Sequence, residues 1–287
     1  MAAPKFGGTW TERKLEVVRR YLELCATALK NQPFRRLYID AFAGTGDRKG
    51  KRLETQLILD LPELDTMTKG SARLALEVEP SFDKYILIEK SARRAGELGE
   101  LASDYPKRLV ETINLDANEA IADICLASDW RATRGVAFLD PFGMQVSWKT
   151  LIAIANTSAI DVWLLVPTGM GLRRLLRRDG NIPPEWQDLL DRFLGTPGWR
   201  SEFYRTEEST NLFGEAVATN VRDAKTEKLE QFVLERLGTI FPIVMERGVS
   251  LTNSKGQAMY LLCFVSASRS PKVKTLALKL ARWAARA

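Results

Sequence analysis

The chain has 287 residues, 45% hydrophobic and 27% charged, enough apolar material for one large α/β domain or two small ones. Histidine is absent, which excludes imidazole bases, Ser-His-Asp and Cys-His hydrolysis, and imidazole metal ligation. The 42 Lys and Arg against 36 Asp and Glu leave a formal charge of +6, a modest excess that favours a polyanionic partner without naming one. Cys25, Cys125 and Cys263 are far apart and form no C-x-x-C pair, so reduced core thiols in a cytoplasmic protein are expected, and no metal site. No apolar run reaches the ~18 residues of a membrane span, and the amino terminus shows no signal pattern, so no membrane partner is expected.

Residues 1–8 read as a loose arm. Thr9 or Thr11 can cap a helix that continues to about Lys30, with Leu15, Val18, Leu22, Cys25 and Leu29 as its apolar stripe. Pro33 ends this amino-terminal helical unit, residues 1–33.

The rest of the chain is organised around residues 37–46, LYIDAFAGTG. An apolar strand surfaces at Asp40, and Gly44 and Gly46 then allow positive φ and close backbone approach to a ligand. Such turns lie where open α/β sheets bind ligands, although an ordinary strand-to-loop turn has the same local pattern. Two glycine motifs fail on spacing. The next glycine is Gly50, so G-x-G-x-x-G is not met, and GDRKGK at 46–51 is one residue short of a phosphate loop. A nucleoside ligand without a pyrophosphate remains.

Residues 47–69 are rich in charge and turn formers and read as an insertion over the pocket mouth or a solvated loop. A helix is expected over 71–79, then a strand over 85–88 ending on Glu89, with Ser91 capping the next helix. A third strand over 109–115 ends on Asp116, and a helix over 118–127 comes next. A fourth, over 135–139, ends on Asp140; a fifth, over 159–166, closes on Pro167, Thr168 and Gly169. Alternating strand and helix units predict a doubly wound, mostly parallel Rossmann-like α/β sheet with an acidic-rimmed cleft at its strand tips. Residues 171–235 read as a helical insertion within a single domain spanning 1–287. Residues 241–247 and 259–266, joined by LTNSKGQ, predict a terminal antiparallel hairpin. The last helix, over 271–286, is expected to bury Val273, Leu276, Leu280 and Trp283.

These units resemble class I S-adenosylmethionine-dependent methyltransferases. The resemblance implies S-adenosylmethionine as cofactor, with Asp40, Phe42, Ala43, Gly44, Thr45 and Gly46 as the first motif against its methionine part. Glu89 then stands where that family binds the ribose hydroxyls, and Asp116 with Ala117 where it reads the adenine edge. Asp140, Pro141 and Phe142 match the motif at the methyl-transfer site. A carboxylate suits both the ribose hydroxyls and a sulfonium, so the placements are chemically sound. Singly, Glu89 or Asp116 also fits a helix N-terminal carboxylate. The opening at 11–18, YIDAFAGTG at 38–46, the helix start at 70–76 and DPFG at 140–143 are similar to the three-Cys-motif partner (TcmP) family. That likeness implies a phage- or bacteria-associated methyltransferase-like protein beside a radical enzyme. Thr45 replaces the family's Pro, and its opening histidine is missing.

FAGTG with DPF also resembles the FxGxG and DPPY pair of nucleic-acid amino-methyltransferases, which implies Asp140 and Phe142 acting on an exocyclic amine of an extruded base. Here the aromatic is third and Gly143 fourth. A strand-ending turn with a core Phe142 remains the alternative. Arg173, Arg174, Arg177 and Arg178 alternate with Leu172, Leu175 and Leu176, a spacing that gathers the arginines on one side to meet DNA or RNA phosphates or simply water. Lys272, Lys274, Lys279 and Arg282 add a second basic strip. The expected function is methyl transfer to a nucleic-acid base. A small-molecule methyltransferase with residues 186–204 as lid, and a non-catalytic cofactor-binding partner, remain open.

Overall fold

A computed structural model describes residues 9–43, 68–210 and 216–286. Helix α1 (Thr9–Leu29) leads into β1 (Arg35–Asp40). Then α2 (Thr68–Glu77), β2 (Lys84–Ile88), α3 (Ala92–Ser103), β3 (Val110–Ile113), α4 (Ala117–Ala127), β4 (Thr133–Leu139), α5 (Trp148–Asn156) and β5 (Ile160–Val166) alternate. These five strands are parallel and lie in the order β3-β2-β1-β4-β5. The order reverses between β1 and β4, which is where sheets of this kind bind ligands.

Burial explains the winding. In β4 and β5 almost every side chain is enclosed, Val136 to Leu139 and Val162 to Val166 among them, as strands covered on both faces require. Leu37, Ile39, Ala137 and Leu164 face one core, built with α4 and α5. Tyr38, Val136, Phe138, Trp163 and Leu165 face the other, built with α1, α2 and the last helix. Helix α1 is fastened by Tyr21, whose hydroxyl donates to Asp161 Oδ2 at 2.6 Å and whose ring meets Trp163 edge-on.

After β5 the chain makes a π-turn (Thr168–Leu172) and a short helix α6 (Arg173–Leu175), followed by α7 (Pro184–Leu194) and α8 (Trp199–Phe203). Strands β6 (Tyr204–Thr210) and β7 (Ala216–Arg222) pair with each other, and α9 (Thr226–Gly238) returns to the sheet. The insertion thus carries a two-stranded sheet besides its helices, paired antiparallel from Tyr204 opposite Arg222 to Thr210 opposite Ala216.

The antiparallel end of the sheet also differs in detail from expectation. Only β8 (Ile243–Val244) of the 241–247 run enters it, whereas the hairpin itself is β9 (Val249–Thr252) against β10 (Ala258–Ser266). Gly256 supplies the positive φ of their turn, at 74°. Strand β10 lies antiparallel between β5 and β8. The final helix α10 (Pro271–Ala285) buries Ala277, Leu278, Ala281 and Ala284, while Leu276 and Trp283 are exposed. The expected stripe is corrected in part: Val273 and Leu280 are half-buried against the core, but packing against α1 brings in the alanines instead of Leu276, and Trp283 lies under Arg20, 5.8 Å from its ring centre.

Candidate active site

The registers place four carboxylates along one edge. Asp40 pairs across to Leu87 and to Phe138, so Glu89 and Asp140 each stand two residues beyond its level on flanking strands. Ile88 pairs with Ile113, which puts Asp116 just past the same edge on β3. Strand spacing of about 4.8 Å makes Asp116, Glu89, Asp40 and Asp140 consecutive stations at the carboxyl end of the parallel strands. Asp40 and Asp140 flank the reversal of strand order.

Asp40 is wholly buried at the end of β1. Its Oδ2 receives the Tyr38 hydroxyl at 3.5 Å, while Oδ1 has no hydrogen-bond partner among the described residues. Burial pushes its pKa up from 3.8 to about 7; the Asp140 charge adds to the rise, and the Ser71 hydroxyl, the Phe42 N–H and Lys14 oppose it. Beyond Asp40, Ala41 N donates to Phe138 O at 3.1 Å and Ala43 N to Ile88 O at 2.9 Å. The first motif therefore runs on between β2 and β4 before its glycines. Ala43 is buried and Phe42 half-buried, and Gly44, Thr45 and Gly46 lie outside the described residues.

Glu89 is buried, and its Oε1 accepts Ser91 N–H at 2.6 Å. Burial raises its pKa, against that hydrogen bond and the nearby Arg94. Asp116 caps α4: Oδ1 accepts Asn118 N–H at 3.0 Å and Oδ2 meets Lys90 Nζ at 3.1 Å. Burial pushes its pKa up, but the Asn118 N–H and Lys90 outweigh it and hold the carboxyl below the ordinary value. Ala117 begins α4 and is buried. The cap accounts for the local conformation of Asp116, so the reading of Asp116 as a helix N-terminal carboxylate describes its own bonds well.

At the β4 tip Asp140 pairs with Lys14 of α1. Sequence reasoning missed Lys14. Its side chain is 1% exposed, and the ammonium also stands 5.5 Å from the Trp10 ring centre and 5.8 Å from that of Phe138, a cage of carboxylate and π-faces suited to a cation. Trp10 in turn stacks on Tyr260 at 4.8 Å. The one available signal was a lysine inside the face formed by Trp10, Val17, Val18 and Tyr21. Pro141 is buried, Phe142 half-buried, and Gly143 holds φ at 75°, a conformation that favours glycine at this fourth position.

The β5 tip is shaped by close approach. A Cβ on Gly169 would stand 1.9 Å from Ala258 O, so only glycine lets the turn lie against β10. Thr168 is wholly buried, and its Oγ1 has no partner among the described residues. Beyond it, Arg173, Arg174, Arg177 and Arg178 are exposed, whereas Leu172, Leu175 and Leu176 are buried, which is the division the sequence anticipates. Arg222, overlooked in the sequence, joins them around one open cleft.

No family model and no curated protein matches the chain. Among solved structures, protein LPL1258 from Legionella pneumophila, of the DUF519 family, is 17% identical, with 92% of this chain and 98% of that one covered at a TM-score of 0.42. The 23S rRNA methyltransferase ErmE is 13% identical over 92% and 97% of the two chains, with a TM-score of 0.27. The yhhF protein from Escherichia coli is 13% identical over 72% and 87%, at 0.31. These likenesses are distant. Strand order and register, observed directly, define the α/β fold.

Proposed function

We propose that this chain is an S-adenosylmethionine-dependent methyltransferase acting on an amino group of a nucleic-acid base. The row of four acidic strand tips across the reversal of strand order is the observation that supports it most. The donor set fits the cofactor: the buried Oδ1 of Asp40, without a partner among the described residues, suits an ammonium or sulfonium, and Glu89 suits paired hydroxyls. Asp40, Phe42, Ala43, Gly44, Thr45 and Gly46 would hold its methionine part, Glu89 its ribose, and Asp116 with Ala117 its adenine.

When bound, S-adenosylmethionine supplies a methyl group already activated on a sulfonium. The chain's own part is chiefly positioning. Asp140 accepts a hydrogen bond from the acceptor N–H and aims the nitrogen lone pair. Lys14 holds the Asp140 carboxylate in place from behind. Phe142 stacks on the base, a contact of about 1–3 kcal/mol. Membership of the three-Cys-motif partner family, a radical-enzyme partner and a cytoplasmic setting belong to the same reading; among the described residues no helix is long and apolar enough to cross a membrane.

Transfer of a labelled methyl group from S-adenosylmethionine to mixed DNA and RNA tests the reading. Wild type is expected to label one of them, and Asp140→Asn to lower the rate by roughly 10²-fold. Equal labelling by that variant would remove Asp140 from the mechanism.

A further inference from the structure

The π-turn beyond β5 delivers a strongly one-signed surface. Gly171 N and Leu172 N both donate to Pro167 O at 2.9 Å, which widens the turn just before Arg173 and the arginine segment. Turns of this type recur at functional sites. Leu172, Leu175 and Leu176 anchor the segment in the core, and the four arginines are exposed on its other side.

The carbonyl groups of the segment are held by the small hairpin. Arg222 Nη1 donates to Leu176 O at 2.7 Å and to Arg173 O at 3.2 Å. Tyr204, its pairing partner across β6 and β7, donates its hydroxyl to Arg177 O at 2.7 Å. Two side chains from one rung of the hairpin therefore fix the backbone of the arginine segment from below.

The result is an open cleft of about 610 Å³ with five arginines, Arg173, Arg174, Arg177, Arg178 and Arg222, around it. Among the described residues lining it, the one carboxylate is Asp179, 3.5 Å from Arg177. Burial lowers the pKa of Arg222, and the charges of Arg173 and Arg178 lower it further. Like charges are thus gathered at a cost that an anion would relieve.

The cleft adjoins the proposed methyl-transfer tip. Leu139 and Leu164 pair on neighbouring strands, so Asp140 is level with Leu165 and Pro167 follows two residues beyond it on the adjacent strand. A Cβ at Gly171 would stand 3.8 Å from Met144 Cε, two residues past Phe142.

We infer that this five-arginine cleft is a phosphodiester-binding track that seats the backbone of a polynucleotide while its base reaches Asp140 and Phe142. The inference rests on the proposed nucleic-acid substrate and gives that substrate a place. Guanidinium forks match phosphate oxygens two at a time. An open cleft with charges spread along it suits a polymer, where a single small phosphate would favour a closed pocket.

Anisotropy of labelled single-stranded RNA, single-stranded DNA and duplex, measured from 20 to about 200 mM salt, tests this with no need for methyl transfer. At least one polymer is expected to bind wild type, with affinity falling as salt rises. Arg177→Ala with Arg178→Ala should lose roughly tenfold or more and flatten the salt slope by about 1.5, two phosphate contacts' worth. Both residues are exposed, so thermal unfolding should stay at the wild-type temperature. Lys272→Ala with Lys274→Ala, on the distant basic strip of α10, should change affinity less than twofold.

Equal losses from the two pairs would overturn the cleft in favour of overall charge. Tighter binding of poly-glutamate than of any polynucleotide would overturn it in favour of an acidic protein. Wild type that takes up S-adenosylmethionine by calorimetry but holds no polynucleotide at 20 mM salt overturns the cleft alone. Arginine-dependent polynucleotide binding without cofactor uptake supports the cleft and overturns methyl transfer.

Discussion

Lys14 and Asp140 form a pair whose two halves are unequally placed, at 1% and 16% side-chain exposure. Water can reach the carboxylate once the lysine is gone, but a lone ammonium in that cage has no such relief. Removing one partner of a buried pair costs about 3–5 kcal/mol when the other is stranded. Asp140→Ala is therefore expected to cost about 3 kcal/mol in urea unfolding, and Lys14→Met, which refills the same volume, about 1 kcal/mol. The reverse order would show that the ammonium reaches solvent after all.

Asp40 sets a pH dependence. Its pKa rises from 3.8 to about 7 in the fold, chiefly through burial. The native state then holds more protons than the unfolded chain between those values, so stability falls as pH climbs from about 4 to about 7 and levels off above. Asp40→Asn should flatten that fall in unfolding curves taken at successive pH values. The same raised pKa makes the carboxylate scarce below neutrality, so affinity for a cationic ligand should increase by up to about tenfold per pH unit until about pH 7. A pH-independent affinity would remove Asp40 from the cation's surroundings.

The elements that carry the site were legible to different degrees, for physical reasons. A carboxylate closing an apolar run is a local pattern, so Asp40, Glu89, Asp116 and Asp140 were visible as strand tips. Lys14 meets Asp140 across 126 residues, and no local pattern pairs them. Arg222 was hidden likewise, since its role depends on a hairpin read as part of a helical insertion. On α10, Val273 and Leu280 do lean on the core, but close contact with α1 favours Ala277, Ala281 and Ala284 over the larger Leu276 and Trp283, a choice that only the neighbouring helix makes. Gly169 shows how such tertiary constraints act on one element. Its missing Cβ lets the β5 turn lie against β10, where a methyl would stand 1.9 Å from Ala258 O. Gly169→Ala should cost about 1–3 kcal/mol, as overpacking does, and should also move the arginine segment. Unchanged thermal stability would mean that the turn yields freely.

Across the whole molecule, one parallel sheet sorts chemistry to one edge and packing to its interior. The helices cover both faces, α1 seals the Asp140 side with Trp10 and Lys14, and the segment after β5 carries the arginines out from the neighbouring strand. A net charge of +6 is too small to hold a polyanion without such concentration. The assignment as a whole depends on the acidic edge receiving S-adenosylmethionine. Calorimetric titration of that cofactor into wild type and Glu89→Gln measures this directly. Micromolar binding by wild type is predicted, weakened roughly 10- to 100-fold in the variant, since hydrogen bonds to a charged group contribute about 1.5–3 kcal/mol. No binding by folded wild type, or equal binding by both, would contradict it.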